Sequence, residues 1–273
     1  MITGLLKNKL SALLLFTVFL VSSVFSAFAF PDPNNASDLL SEAKKLYDMR
    51  AEGAVGLMAN AETIDKAIAA LEKVYVSGYK EEETGLYLVR CYNYKGRFAC
   101  TSVSAKKSSF EKGKNLGEKL IKKYPNSAPV LFEYICVLGL WANEVGALKA
   151  GWDGVIGKMK SNTELLIELD RNYSGCAGER IMGYMYIKAP YIPLVLTWPD
   201  DEKGLEYLEQ VAKCSPNEFG TVYYYAEALY KNGYKSKAKE YMIKVTTMTP
   251  RRELYLEDLQ FKKDAEKILL EWN

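Results

Sequence analysis

CAGERIMGYMYIKAPYIPLVLTWPDDEKGLEYLEQVAKCSP (176–216) runs directly into NEFGTVYYYAEALYKNGYKSKAKEYMIKVTTMTP (217–250). Each half reads as a helical hairpin closed by a proline, and Pro216 and Pro250 are 34 residues apart. In the second half Val222, Ala226 and Leu229 form one apolar stripe, Gly233 makes the turn, and Ala238, Met242 and Val245 form the facing stripe. In the first half Gly183 and Tyr186 lie on the leading helix. Asp200 caps the returning helix, which carries Leu205, Leu208 and Val211. Between them Ala189 to Pro199 holds three prolines and Trp198, and is too proline-rich for helix.

A period of 34 residues with two helices per unit is that of the tetratricopeptide repeat (TPR). The same pattern extends outward. Upstream, Ser37 is an expected N-cap, and Thr63 to Val76, Glu82 to Gly96, Phe110 to Tyr124 and Ala128 to Leu148 read as helices. Arg97 to Ser108 reads as irregular. The run 128–148 is apolar almost all round, which places it at the centre of the molecule. Gly151, Gly154 and Gly157 recur every third residue, either as a seam for close approach or as a loosened loop and helix start. Gly157-Lys158 is not a phosphate loop, because Trp152 and Met159 stand where Gly and Ser/Thr are required. Downstream, 253–272 is a charged amphipathic helix of the kind that caps a repeat stack. The expected fold is all-α: about five TPR-like hairpins plus a C-terminal capping helix, as one domain over residues 30–273.

Residues 1–29 read as a signal peptide, with Lys7 and Lys9, an apolar run from Leu10 to Phe25, and cleavage after Ala29. No cysteine follows the run, so export to the periplasm without a lipid anchor is expected, and no second run is expected to reach spanning length. The formal net charge of +2 resides in Lys7 and Lys9, since residues 1–29 hold no acid. The remainder is formally neutral, which argues against nucleic acid as a partner. The chain has no histidine, which removes imidazole acid/base catalysis, His-activated nucleophiles and imidazole metal ligands. No C-x-x-C pair suggests a metal, and no cofactor is implied. Five cysteines leave an odd thiol. Cys176–Cys214 is the expected disulfide, with Cys91–Cys100 the next candidate and Cys136 a buried thiol.

The order of features also resembles a known family. Leu140-Trp141 in a central apolar helix is followed by Glu168-Leu169-Asp170 before Tyr173, then Gly178-x-Arg180-x-x-Gly183, a proline loop and two repeat-like hairpins with Ala226-Glu227 in the last. This looks like the T component associated with tripartite ATP-independent periplasmic (TRAP) transporters, a helical protein of cryptic TPRs, over Thr63 to Trp272. The chain departs from lipidated members in lacking the anchor cysteine. The resemblance implies a non-enzymatic protein with a central pore or cleft. It would work with a periplasmic substrate-binding protein in uptake of a small hydrophobic ligand.

From the residues themselves, aromatic side chains near glycines, prolines and loops are the candidate binding surface: Trp141, Trp152, Tyr173, Tyr184, Tyr191 and Trp198. Arg180 is the candidate charged anchor, with a structural salt bridge as its alternative role. Three readings stay open: a ligand-binding transport component, a generic TPR scaffold for envelope proteins, and a carboxylate-dependent hydrolase. Homo-oligomerisation is compatible with each.

Overall fold

The computed structural model describes residues 33–146, 154–189 and 197–272. Among these residues the regular structure is helical: α1 Pro33–Asp48, α2 Ala61–Ser77, α3 Glu81–Tyr94, α4 Val103–Lys123, α5 Ala128–Val145, α6 Val155–Leu169, α7 Tyr173–Lys188, α8 Asp201–Cys214, α9 Phe219–Lys231, α10 Lys235–Thr247 and α11 Tyr255–Glu271. Consecutive helices pair as five antiparallel hairpins, α1/α2 to α9/α10, and α11 follows as the cap. The fold class is therefore all-α helical-hairpin repeats of the TPR type.

The helix ends follow local chemistry. Asn60 caps α2 by accepting from the Glu62 amide, and Gly78 ends it at φ +75. Asp200 accepts from the amides of Glu202 and Lys203. Gly233, at φ +84, makes the turn between α9 and α10. Ser37 is not an N-cap, because α1 already begins at Pro33, whose fixed φ suits a first helical position. Of the stretch expected to be irregular, Arg97 to Ser108, only residues 100–102 are so. Lys95–Ala99 forms a π-turn on the end of α3, and Ser102 caps α4 by accepting from the Ala105 amide. The glycine seam is absent at the positions described. Gly154 is a left-handed residue before α6, and a Cβ at Gly157 would meet nothing within 4 Å.

Where hairpins need close approach, other glycines supply it. A Cβ on Gly183 would lie 2.6 Å from Leu208 Cγ, and one on Gly204 would lie 2.4 Å from Ile187 Cγ2. The two glycines face each other across α7 and α8, so these backbones cross in contact.

Helix α5 is central. Its Val130, Tyr134, Val137, Leu138 and Trp141 pack with α3 and α4, while Leu131 and Ile135 pack with Leu166 of α6 and Ile181 of α7. By length and mean hydropathy (1.3) α5 does reach spanning composition, contrary to the sequence expectation. Serving two cores accounts for its apolarity. In each hairpin the first helix also touches the first helix of the next, so α1, α3, α5, α7, α9 and α11 form an inner layer.

The stack closes on itself. Leu256 of α11 is fully buried in the core built by α1, α2 and α3, with Leu259 against it. Ala265, Ile268 and Leu269 of the same helix, with Trp272 just past its end, pack on the last hairpin. The cap thus bridges the last repeat to the first.

Candidate binding face on the inner layer

At the junction of the two ends, Arg50 is 4 % exposed. It donates to the carbonyls of Tyr47 (3.0 Å) and Glu253 and to Glu257 Oε1 (3.3 Å). Its guanidinium lies over the rings of Tyr47 and Tyr94 at 4.2 and 5.0 Å, and the Tyr94 hydroxyl donates to its carbonyl. A planar cation with several donors suits this clasp, since it can hold one helix end, one carboxylate and two aromatic faces at once.

Further round, Arg90 of α3 donates to Glu133 of α5 at 2.8 Å. Burial raises the Glu133 pKa against the pull of Arg90. Burial also pushes the Cys136 thiol, one turn along α5, up to about 12, and raises the Tyr47 and Tyr224 hydroxyls. Yet Tyr47, Glu133, Cys136 and Tyr224 each keep accessible surface.

The other wall comes from α7, α9 and α11. Tyr184 meets Tyr224 at 4.7 Å between ring centroids, and Phe261 lies against Tyr223 and Tyr224 at 5.3 and 5.7 Å. Lys188 Nζ donates to Glu227 Oε1 at 2.5 Å. Burial raises the Glu227 pKa, and its second oxygen has no partner among the described residues.

Of the residues singled out in the sequence, Tyr173, Arg180 and Tyr184 come to this side. Tyr173 packs on Phe132 at 5.6 Å near Arg90. Arg180 is a clamp: its Nη1 donates to the Gly175 carbonyl (3.2 Å) and Thr221 Oγ1 (3.4 Å) and lies 3.4 Å from Glu218. Glu218 in turn caps α9 through the Thr221 amide and lies 3.4 Å from Arg251, which is bonded to Asp258 of α11. Two other residues lie elsewhere. Trp141 is buried toward α4, donating to Glu111 at 2.8 Å with the Lys114 ammonium 4.3 Å above its ring. Trp198 stands edge-on to Tyr186, which stacks on Tyr207 of α8. Tyr184 and Tyr186 are two positions apart on one helix, so their side chains diverge. Trp152, Tyr191 and the proposed cleavage after Ala29 lie outside the described residues.

Cys176 and Cys214 form a disulfide, with Cα atoms 6.4 Å apart. The chain enters α7 through Ser174, Gly175 and Cys176, all at positive φ (49, 66 and 58), so regular helix begins one residue later than the cysteine. Cys91 and Cys100 are not paired; both are buried free thiols. Continuous helix through α3 and the π-turn separates them, and at about 1.5 Å per residue their Cα atoms are held beyond the reach of a disulfide, about 7 Å. Among the described residues no group of three or more Cys, Asp or Glu is arranged to hold a metal.

Reading the sequence by aromatic residues near loops missed Tyr47, Arg50, Arg90, Glu133 and Tyr224. Their common signal is position: each lies on, or just past the end of, the first helix of a hairpin, on the side left over once the core stripe is assigned.

The structure is similar to that of TTC0263, a thermophilic TPR protein in Thermus thermophilus, with a TM-score of 0.56 and 14% sequence identity. The match covers 86% of this chain and 99% of that one. No protein-family model matches the chain, and no curated protein sequence matches it.

Proposed function

We propose that this chain is an exported, non-enzymatic binding protein whose inner layer receives a small, partly apolar ligand or a segment of a partner. One observation carries this reading. Side chains from five different helices meet on the inner layer, Arg90 with Glu133 and Tyr224 with Tyr184 and Phe261, and each stays partly exposed. Stacked hairpins commonly use their concave side in this way. The sequence resemblance extends the proposal to a TRAP-type T component working with a periplasmic substrate-binding protein. Native mass spectrometry of the protein isolated from its source tests the reading. A co-purifying small molecule, lost in Tyr184→Ala, supports the inner site. N-terminal sequencing should begin at Phe30 if the leader is cleaved as expected.

The likeness to a TPR protein supports a second reading equally, a scaffold that docks envelope proteins. A stable protein complex with no bound small molecule would favour it. Failure of any substrate-binding protein to co-purify with the native chain would remove the transporter assignment.

A further inference from the structure

One helix of the outer layer carries an unbalanced charge. Residues 30–273 are formally neutral, and the outer helices on either side of α4 are close to balance. α2 sets Lys66 and Lys73 against Glu62, Asp65 and Glu72, and α6 sets Lys158 and Lys160 against Glu164 and Glu168. In its 21 residues α4 holds seven lysines, no arginine, and only Glu111 and Glu118 as acids. Its inward stripe is Ser109, Phe110, Gly113, Gly117 and Leu120, all buried, so the lysines take the outer half. Lys114 and Lys123 pair with Glu111 and Glu81. Lys107, Lys112, Lys119 and Lys122 are exposed and have no carboxylate within 4.0 Å among the described residues. The other lysine-rich outer helix, α10, differs: Lys237 donates to the Tyr225 hydroxyl at 3.1 Å and Lys244 to the Pro216 carbonyl at 3.0 Å.

A hollow of about 360 Å³ opens on the same face, lined by Lys107, Ser108, Glu111, Lys112, Asn115 and Val145. Glu111 is already engaged by the Trp141 indole and by Lys114. That leaves two ammonium groups, a hydroxyl and a carboxamide around a space suited to an acidic head group. We propose that α4 docks this protein onto an anionic lipid surface, with one phosphodiester head group between Lys107 and Lys112 and others along Lys119 and Lys122. About four to eight lysines on one amphipathic helix are a usual footprint of such binding. Two observations favour a bilayer over an acidic protein. A convex outer layer meets a flat surface along a single helix, and the excess charge is confined to one helix. The free lysines also extend over about 22 Å of α4, at 1.5 Å per residue, without the guanidinium forks that select a fixed carboxylate. Flexible point charges suit a surface whose anions can rearrange. This docking stands apart from the inner-face reading, so either can fail alone.

Co-sedimentation of the full chain with lipid vesicles tests the proposal. Vesicles of equal parts phosphatidylglycerol and phosphatidylcholine should bind it at low salt, and pure phosphatidylcholine should not. Added salt should release it, because screening weakens the attraction of each lysine. Lys107→Gln, Lys112→Gln, Lys119→Gln and Lys122→Gln together should lower the partition coefficient about tenfold or more, since one lysine near such a surface is worth about fivefold. The same change at Lys73, Lys203, Lys235 and Lys263, exposed on four other helices, should lower it far less although net charge falls equally. Equal losses in the two variants overturn the assignment to α4, and no binding by the wild type overturns the docking itself. A stable complex with polyglutamate and none with vesicles gives the face to an acidic protein and overturns the lipid. If the α4 variant fails to fold, acetylation of the wild type decides. Anionic vesicles should protect Lys107, Lys112 and Lys119 more than Lys263, and uniform or absent protection overturns the proposal.

Discussion

At the scale of single residues, space decides what glycine is for. Gly183→Ala would drive a Cβ into Leu208 and to 3.2 Å from the Gly204 carbonyl, which belongs to backbone and cannot swing away. Thermal or urea unfolding should show a loss of about 1–3 kcal/mol. Gly157→Ala meets open space in a helix and should gain up to about 1 kcal/mol. A loss at Gly157 would restore the close-approach seam considered from sequence. Glu218 provides a pH test. Although burial opposes it, Arg180, the Thr221 amide and Arg251 hold its pKa below the usual 4.5. A depressed folded pKa contributes stability above the unfolded value, lost as pH falls through the folded one. The stability gap between wild type and Glu218→Gln, measured by urea unfolding, should therefore be largest above the ordinary carboxylate range and close as pH falls below it. A gap that widened on acidification would refute the electrostatic role.

At the scale of elements, much was legible and some was not. The hairpins from α7 to α11 can be read from sequence because apolar spacing, Asp200, Gly233 and the two closing prolines all signal the same boundaries. The start of α1 could not be placed the same way, since Ser37 and Pro33 both suit a helix start and only packing chooses. The π-turn after α3 was hidden because Gly96 reads as a helix end; the Phe110 ring against Gly96 and Phe98 entering the first core hold the turn. For the binding face, the sequence shows which residue types are unusual but not which side of a helix the neighbours leave uncovered. Hence Trp141 and Trp198 stand out, while Arg90 and Tyr224 do not. The entry to α7 carries its own prediction. The Cys176–Cys214 bridge spans 38 residues, and chain-entropy arguments give a loop of that length about 3–4 kcal/mol. Cys214→Ser should lower stability by that order in denaturant titrations. Hydrogen exchange should quicken first at 173–180, where three left-handed residues depend on it; uniform quickening along the chain would show that the bridge does not hold this turn.

At the scale of the whole molecule, the clasp between α1 and α11 determines shape. Removing one partner of a buried pair strands the other charge, at a cost of about 3–5 kcal/mol. Arg50→Met leaves Glu257 unpaired and the Glu253 carbonyl without its donor. Small-angle scattering should then report a larger radius of gyration, with faster exchange in α1 and the first half of α11. An unchanged scattering curve would mean that Leu256 and Leu259 close the stack without the arginine.

The closure has a consequence for how such a chain can change length. In an open solenoid each unit meets only its neighbours, so duplicating or losing a unit extends or shortens the array and little else. Here Arg50 reaches the Glu253 carbonyl and the Glu257 carboxylate across sequence separations of 203 and 207 residues. Inserting a sixth hairpin would carry those partners apart, and deleting one would force them to overlap. The repeat number is therefore fixed by geometry: gene duplication within this protein would yield an unclosed spiral, not a longer version of the same molecule.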